Sequence, residues 1–345
     1  MTAVLRRLFL ALSRSRGLRG ASLRHPVLRR AARRFIAGER LDEALEAIRR
    51  LNAQGLFTTL DLLGEDVTTA AQAETSGNAY LRIVDAIRVP PAGPESTPAP
   101  AGGAGPAVGR SGERPVEATR ADNNLSLKLT QLGLDADAAL CGRVLRRILD
   151  RAAAGTAPGG VPMFVRIDME NSARTDATLR LFESLWAEGR RNVGVVIQAY
   201  LYRSPTDVAR LNTLGARVRL VKGAYDEPPA VAFPNKQDVD RAFAQLTDLL
   251  LRDGRYPAIA THDDRLIDHA RRSARAAGIA PDRFEFQMLY GIRRDLQYAL
   301  RRDGYRVRVY VPFGEEWYPY FMRRLAERPA NVAFVLRSLV RERAR

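Results

Sequence analysis

The 345 residues are 46% hydrophobic, which allows one large domain or two ordinary ones with an ample core. The formal charge of +16 invites a nucleic-acid reading. Ten arginines and no carboxylate fall within residues 1–38, however, so the rest of the chain carries only +6. No stretch has zinc-ligand spacing or aromatics interleaved with basic residues, which argues against a metal centre and against a base-stacking surface. The single Cys141 excludes an internal disulfide, suits a reducing compartment, and sits at helical core spacing in LDADAALCGRVLRRILD.

In chain order, the first element is a basic amphipathic segment. Val4, Leu5, Leu8, Phe9 and Leu12 share one helical face, with Arg6, Arg7, Arg14 and Arg16 around it. The apolar run LFLAL is too short for a membrane span or a signal-peptide core. Three readings stay open: a helix lying on an anionic membrane surface, a mitochondrial presequence, and an arm packed on its own domain. Residues 39–54 then predict an amphipathic helix, and residues 1–56 together a basic N-terminal helical arm. FTTLDLLG at 57–64 predicts a buried strand, and TTAAQAETSGNAYLRIVDAI a helix. Residues 89–121, rich in Pro, Gly and Ala, predict a flexible insertion. Its glycines neither follow a strand nor open a helix, so they form no nucleotide fingerprint.

Beyond it, strand-like runs alternate with helical patterns: LSLKL (125–129), MFVRID (163–168), VGVVIQA (193–199), VRLVKG (218–223), AIAT (258–261), FEFQML (284–289) and VRVYV (307–311). With the first strand these make eight strand–helix units, so residues 57–345 predict a (β/α)8 barrel, with a doubly wound open sheet as the alternative. A barrel assembles its active site from the C-terminal ends of its strands. Each predicted strand has a polar group there or nearby: Glu65, Lys128, Asp168, Gln198, Arg219 with Lys222, Thr261 with His262, Gln287, and Tyr310. The chain holds only three lysines, Lys128, Lys222 and Lys236. Where arginine is the usual cation, a retained lysine suggests a need for a compact ammonium.

The set SLKL, VRIDME, VIQAY, RLVKGAYDEP, YPAIATHD, FEFQMLYG and RVYVPFGEEWYPYFMRRLAERPAN resembles the flavin-dependent proline dehydrogenase family, over roughly residues 39–345 outside the insertion. The resemblance implies a distorted (β/α)8 barrel that binds FAD without a Rossmann fingerprint. It implies oxidation of L-proline to 1-pyrroline-5-carboxylate, the first step of proline degradation to glutamate, with a membrane quinone as electron acceptor. The chain has no room for the aldehyde dehydrogenase fused to some members, so it is expected to be of the stand-alone bacterial type. The expected location is the cytoplasm, with a peripheral position on the inner face of the cell membrane left open.

The resemblance also assigns roles. Arg323 and Arg324, adjacent on a helix that closes the chain, match the carboxylate clamp, with Glu327 in reach to hold them. Lys128 matches the substrate-proximal lysine, and Tyr310 the tyrosine packed on the substrate ring, which leaves little space for a 4-hydroxyl group. Asp168 matches the active-site aspartate, as a base or as a carboxylate that only orders cationic side chains. Met169, Gln198, Arg219, Lys222, Gly223, Ala224, Thr261 and His262 match the flavin contacts, with the Lys222 ammonium directed at phosphate. Glu65, at the barrel rim, would pair with Arg323 as a gate or else cap the next helix. His269 is expected at the surface. Asn171 stands where many relatives have an acidic residue, a departure that touches local charge near Asp168. Two rival readings are a barrel aldolase with Lys222 or Lys128 as Schiff base, and a surface binder acting through residues 1–38.

Overall fold

Eight short strands alternate with helices, and each strand has outward positions filled by branched or apolar residues. In the computed structural model, which describes residues 26–64, 67–88, 122–154 and 161–327, these strands close into one parallel barrel in sequence order. They are β1 (Phe57–Leu62), β2 (Asn123–Leu127), β3 (Val165–Ile167), β4 (Val193–Gln198), β5 (Val218–Val221), β6 (Ala258–Ala260), β7 (Glu285–Leu289) and β8 (Arg306–Phe313). Closure pairs β8 with β1, placing Tyr310 beside Thr59 and Pro312 beside Asp61. The sequence-predicted barrel is thus the fold, and the open-sheet alternative falls. The amphipathic basic stretch at residues 4–16 and the 89–121 insertion lie outside the described residues.

Side chains alternate across each strand. Leu60, Leu125, Leu127, Val165, Ile167, Val195, Leu220, Ile259, Phe286 and Val309 belong to the main apolar core, packed with residues of the surrounding helices. That layer includes α1 (Pro26–Ala32), α2 (Leu41–Ala53), α3 (Ala70–Arg88), α4 (Ala138–Ala153), α5 (Ser172–Ala187), α6 (Ser204–Leu214), α7 (Lys236–Asp253), α8 (Asp264–Ala276) and α9 (Arg294–Arg302). Cys141 is buried in this core, as its spacing predicts, and burial pushes its thiol up to about 12.

Many of the alternate, inward positions are polar, among them Thr59, Asp61, Ser126, Arg166, Arg219, Glu285, Gln287 and Arg308, unlike the branched apolar layers common in such barrels. At the N-terminal end, Arg308 Nε lies 2.9 and 3.1 Å from the two Glu285 oxygens. Arg308 also donates to the Thr58 carbonyl at 2.8 Å and to the Asp122 carboxylate at 2.9 Å. Both Arg308 and Glu285 are fully buried. Burial alone would raise the Glu285 carboxyl, but Arg308, with help from Arg217 and Gln287, brings it down to about 2.

α10 (Trp317–Glu327) follows β8 and packs at the opposite, C-terminal end. Its Trp317, Tyr318, Tyr320, Phe321, Met322 and Leu325 form a second apolar cluster with Ala31, Ala32, Phe35, Ile36, Leu63 and Ile292, and Tyr310 rests against it. The segment leading into α2 is stitched to β8 and its exit by two backbone bonds, Ala37 N–H to Pro312 O at 2.8 Å and Gly314 N–H to Gly38 O at 3.1 Å. α2 itself lies against β8 and β1. The described part of the basic arm, residues 26–38, is therefore integrated into the barrel end that carries α10.

Candidate active site

The exits of β2, β3, β5, β7 and β8 converge on one hydrogen-bonded constellation. Arg219, from β5, places Nη1 2.7 Å from Asp168 Oδ1 and Nη2 3.0 Å from Ser126 Oγ, and its Nε donates to Gln287 Oε1. Tyr310 donates its hydroxyl to the other Asp168 oxygen at 2.8 Å. The Arg219 guanidinium also lies 5.4 Å from the centre of the Tyr310 ring. Asp168 is thereby held between a cation and a phenol. Burial, followed by the negative charges of Asp168 and Asp61, pushes the Tyr310 phenol well above its ordinary range, so it stays a proton donor.

Lys128, one residue past β2, brings Nζ to 3.3 and 3.2 Å from the two oxygens of Asp61. Asp61 is completely buried and Lys128 nearly so. Asp61 was not singled out in the sequence. Its signal was present, a carboxylate inside the apolar run FTTLDLL, two positions from the inward-facing Thr59 that contacts Ser126. Burial raises the Asp61 carboxyl to about 6; Lys128 opposes that rise, and the nearby charge of Asp168 adds to it.

Lys128, Asp168, Arg219 and Tyr310 thus meet, as the sequence predicts, at the barrel's C-terminal mouth. Other expected residues lie around them. Gln198 is buried at the end of β4, and its Oε1 has no hydrogen-bond partner among the described residues. Gly223 has φ +114°, and a Cβ there would come within 2.4 Å of the Tyr200 ring, so both backbone and packing require glycine. Ala224, beside it, is half-buried. Thr261 is buried and accepts from the Asp263 N–H at 3.2 Å. His262 Nε2 accepts from the Leu289 N–H at 2.9 Å, tying the β6 exit to the end of β7. Met169 is buried in the main apolar core at the β3 exit.

Lys222 has partners of its own. Its Nζ lies 2.5 Å from Asp240 and 3.0 Å from Asp263, and Lys236 also pairs with Asp240. These two lysines and two aspartates form a charge-balanced cluster at the β5 exit. Arg324 on α10 is buried, with its guanidinium 4.8 Å from the Tyr320 ring centre, and Arg323 beside it is half-buried. Glu65 and the side chain of Glu327 lie outside the described residues. His269 is half-buried rather than fully exposed, because its Nε2 contacts Asp248 at 2.8 Å. Asn171 stands at the start of α5, and the preceding Glu170 is buried, accepting from the Thr130 amide at 3.1 Å and hydroxyl at 2.6 Å. Among the described residues no group of His, Cys, Asp and Glu could hold a metal, and no helix is long and apolar enough to cross a membrane.

A closed parallel (β/α)8 barrel with a buried acid–base cluster at the C-terminal ends of its strands defines an enzyme-like scaffold. Residues 44–337 match the family described as proline dehydrogenase, and the chain belongs to that family. It is 41% identical over 316 residues to a proline dehydrogenase of Deinococcus radiodurans, covering 90% of each chain. It is 39% identical over 343 residues to proline dehydrogenase 2 of Bacillus subtilis, covering 98% of this chain and 100% of that one. Among solved structures it resembles proline utilization A (PutA) from Bdellovibrio bacteriovorus inactivated by N-propargylglycine, with a TM-score of 0.71 and 28% identity over 87% of this chain. It spans 33% of that PutA chain.

Proposed function

We propose that this protein is an FAD-dependent L-proline dehydrogenase that produces 1-pyrroline-5-carboxylate and passes electrons to a membrane quinone, opening the degradation of proline to glutamate. The observation that carries the reading is the Gln287–Arg219–Asp168–Tyr310 chain, with Lys128 beside it, at the barrel mouth of a proline dehydrogenase family member. These are the groups a small zwitterion needs for binding and for control of its charge.

Arg323 and Arg324 clamp the substrate carboxylate, the arrangement in which paired guanidiniums are strongest. Lys128 lies close to the substrate, and the Tyr310 ring packs on the pyrrolidine and shapes the wall beside C4. Oxidation at C5 needs the ring nitrogen unprotonated, because its lone pair becomes part of the C=N bond. Asp168 keeps negative charge near the cation that develops there while holding Arg219 and Tyr310 in place. Glu65 and Glu327 support the clamp, Glu65 as a gate with Arg323.

The chain's residues fit a flavin. The unpartnered, buried Gln198 Oε1 and the buried Arg219 offer polar contacts at the mouth, and Gly223 lets the backbone approach closely. In this reading Met169, Gln198, Arg219, Lys222, Gly223, Ala224, Thr261 and His262 hold FAD. Lys222 would share its ammonium between phosphate and the Asp240–Asp263 pair. When bound, FAD supplies the hydride acceptor that no amino-acid side chain provides. A quinone partner would put the enzyme in the cytoplasm, peripheral on the inner face of the membrane, with the arginine-rich residues ahead of the packed segment 26–38 as the contact.

An absorbance spectrum tests the reading. The purified protein should be yellow and bleach on anaerobic addition of proline. A colourless protein trapped by borohydride with a carbonyl substrate would instead support the aldolase, and a flavin that proline leaves unbleached would overturn the assignment.

A further inference from the structure

The Asp168 side of the site has an obvious use, but the Asp61 side does not. Asp61 is fully buried, and the groups around its carboxylate are Lys128, Asp168, Tyr310 and Tyr80. Lys128 past β2 holds both its oxygens, and Tyr310 of β8 interacts with it as well as with Asp168. Arg219 of β5 lies beyond Asp168 on the far side, and Tyr80 of α3 feels the charge of both carboxylates. The phenol thus lies between two carboxylates, each paired with its own cation. A phenol has a single proton to donate. It gives that proton to Asp168, so it can serve Asp61 only by accepting from it or by turning away.

We propose that Asp61 is a positioning residue for proline oxidation: as a carboxylate it anchors the Lys128 ammonium beside the Tyr310–Asp168 pair. This inference rests on the proline dehydrogenase reading. When Asp61 is ionised, Lys128 is held by both carboxylate oxygens. When Asp61 takes up a proton, Lys128 loses its charged partner and is no longer fixed in place. Asp61, raised by burial to about 6, makes this change within a range where the enzyme can be assayed. Its carboxylate form is present above that value and is lost as pH falls through it. Catalytic efficiency should therefore fall on the acid side near pH 6, separately from the dependence on the substrate's amine, which titrates far higher.

The test uses the full-length, flavin-loaded protein. Asp61→Asn keeps the shape and removes the charge. It should bind flavin normally, lose at least 10-fold in kcat/KM for proline at neutral pH, and lack the acid limb near pH 6. In a double-mutant cycle, Asp61→Asn should add little to Lys128→Met, because both remove the same ion pair. An acid limb that persists unchanged in Asp61→Asn overturns the proposal, as do losses that simply multiply. If Asp61→Asn does not fold, Lys128→Met alone decides: removing the cation should move the limb to higher pH, and an unmoved limb overturns the proposal. Failure of the parent reading looks different, because the unmutated protein would then not oxidise proline at any pH.

Discussion

Arg219 on β5 and Asp168 just past β3, with β4 between them, meet at the barrel mouth with Nη1 2.7 Å from Oδ1, and both are largely shielded from water. Their separation in sequence, 51 residues, is bridged by the closure of the sheet rather than by any local element. Because Asp168 also receives the Tyr310 hydroxyl, neutralising it affects two neighbours at once. Asp168→Asn should lower kcat/KM for proline by ~1.5–3 kcal/mol, the scale of a hydrogen bond to a charged group. Steady-state kinetics with the flavin content measured in parallel will separate this loss from loss of cofactor.

The clamp offers a second check. Replacing Arg323 or Arg324 with Met should weaken proline binding by ~1.5–3 kcal/mol and leave the flavin bound. The two should not behave alike in stability. Arg324 is buried against Tyr320, so its replacement should also lower the melting temperature, whereas Arg323 is half-buried and should cost less. Unchanged Michaelis constants for proline in both variants would remove the clamp.

Tyr310→Ser should open space beside the pyrrolidine ring and raise the efficiency with 4-hydroxyproline relative to proline. Turnover of proline should fall in the same variant, because the serine hydroxyl is too short to reach Asp168, which Tyr310 contacts at 2.8 Å. The ratio of the two efficiencies is the measurement, and a ratio equal to that of the unmutated protein would show that Tyr310 does not shape the wall.

The strands were legible because each is a short apolar run followed by a helical period, and each of the eight predicted runs overlaps an observed strand. Lys128, Asp168, Arg219 and Tyr310 stood out for a related reason: polar groups at strand exits have no place in an apolar core. Asp61 obeys the same logic but is less legible, because it lies inside a run with the pattern of a wholly buried strand and not at its exit. The commitments of Lys222 were not legible either. Asp240 and Asp263 lie 18 and 41 residues away, on α7 and ahead of α8, and only the stacking of units around the barrel brings them together. The same holds for the arm, since nothing in the composition of residues 26–38 foretells that Phe35 packs against Phe321 at 6.0 Å.

The ion pair at the opposite end of the barrel should govern stability rather than catalysis. Glu285 and Arg308 are fully buried below the mouth, where Gln287 donates to Glu285, and Asp122 and the Thr58 carbonyl complete the arginine's contacts. Arg308→Met would leave a carboxylate without its main partner in the barrel interior, a change that typically costs ~3–5 kcal/mol. The pH dependence follows from the direction of the Glu285 shift. Its folded-state carboxyl is depressed from an ordinary 4.5 to about 2, so the pair's contribution is full above about pH 4.5 and fades as pH falls toward 2. Unfolding curves taken at intervals between pH 7 and pH 3 should show stability falling with acid in the unmutated protein. Glu285→Gln should flatten that fall, while lowering stability at pH 7 because Arg308 then stays charged and buried without its carboxylate. A variant as stable at pH 7 as the unmutated protein, with an equally steep acid limb, would show that the interior pair does not set the barrel's resistance to acid.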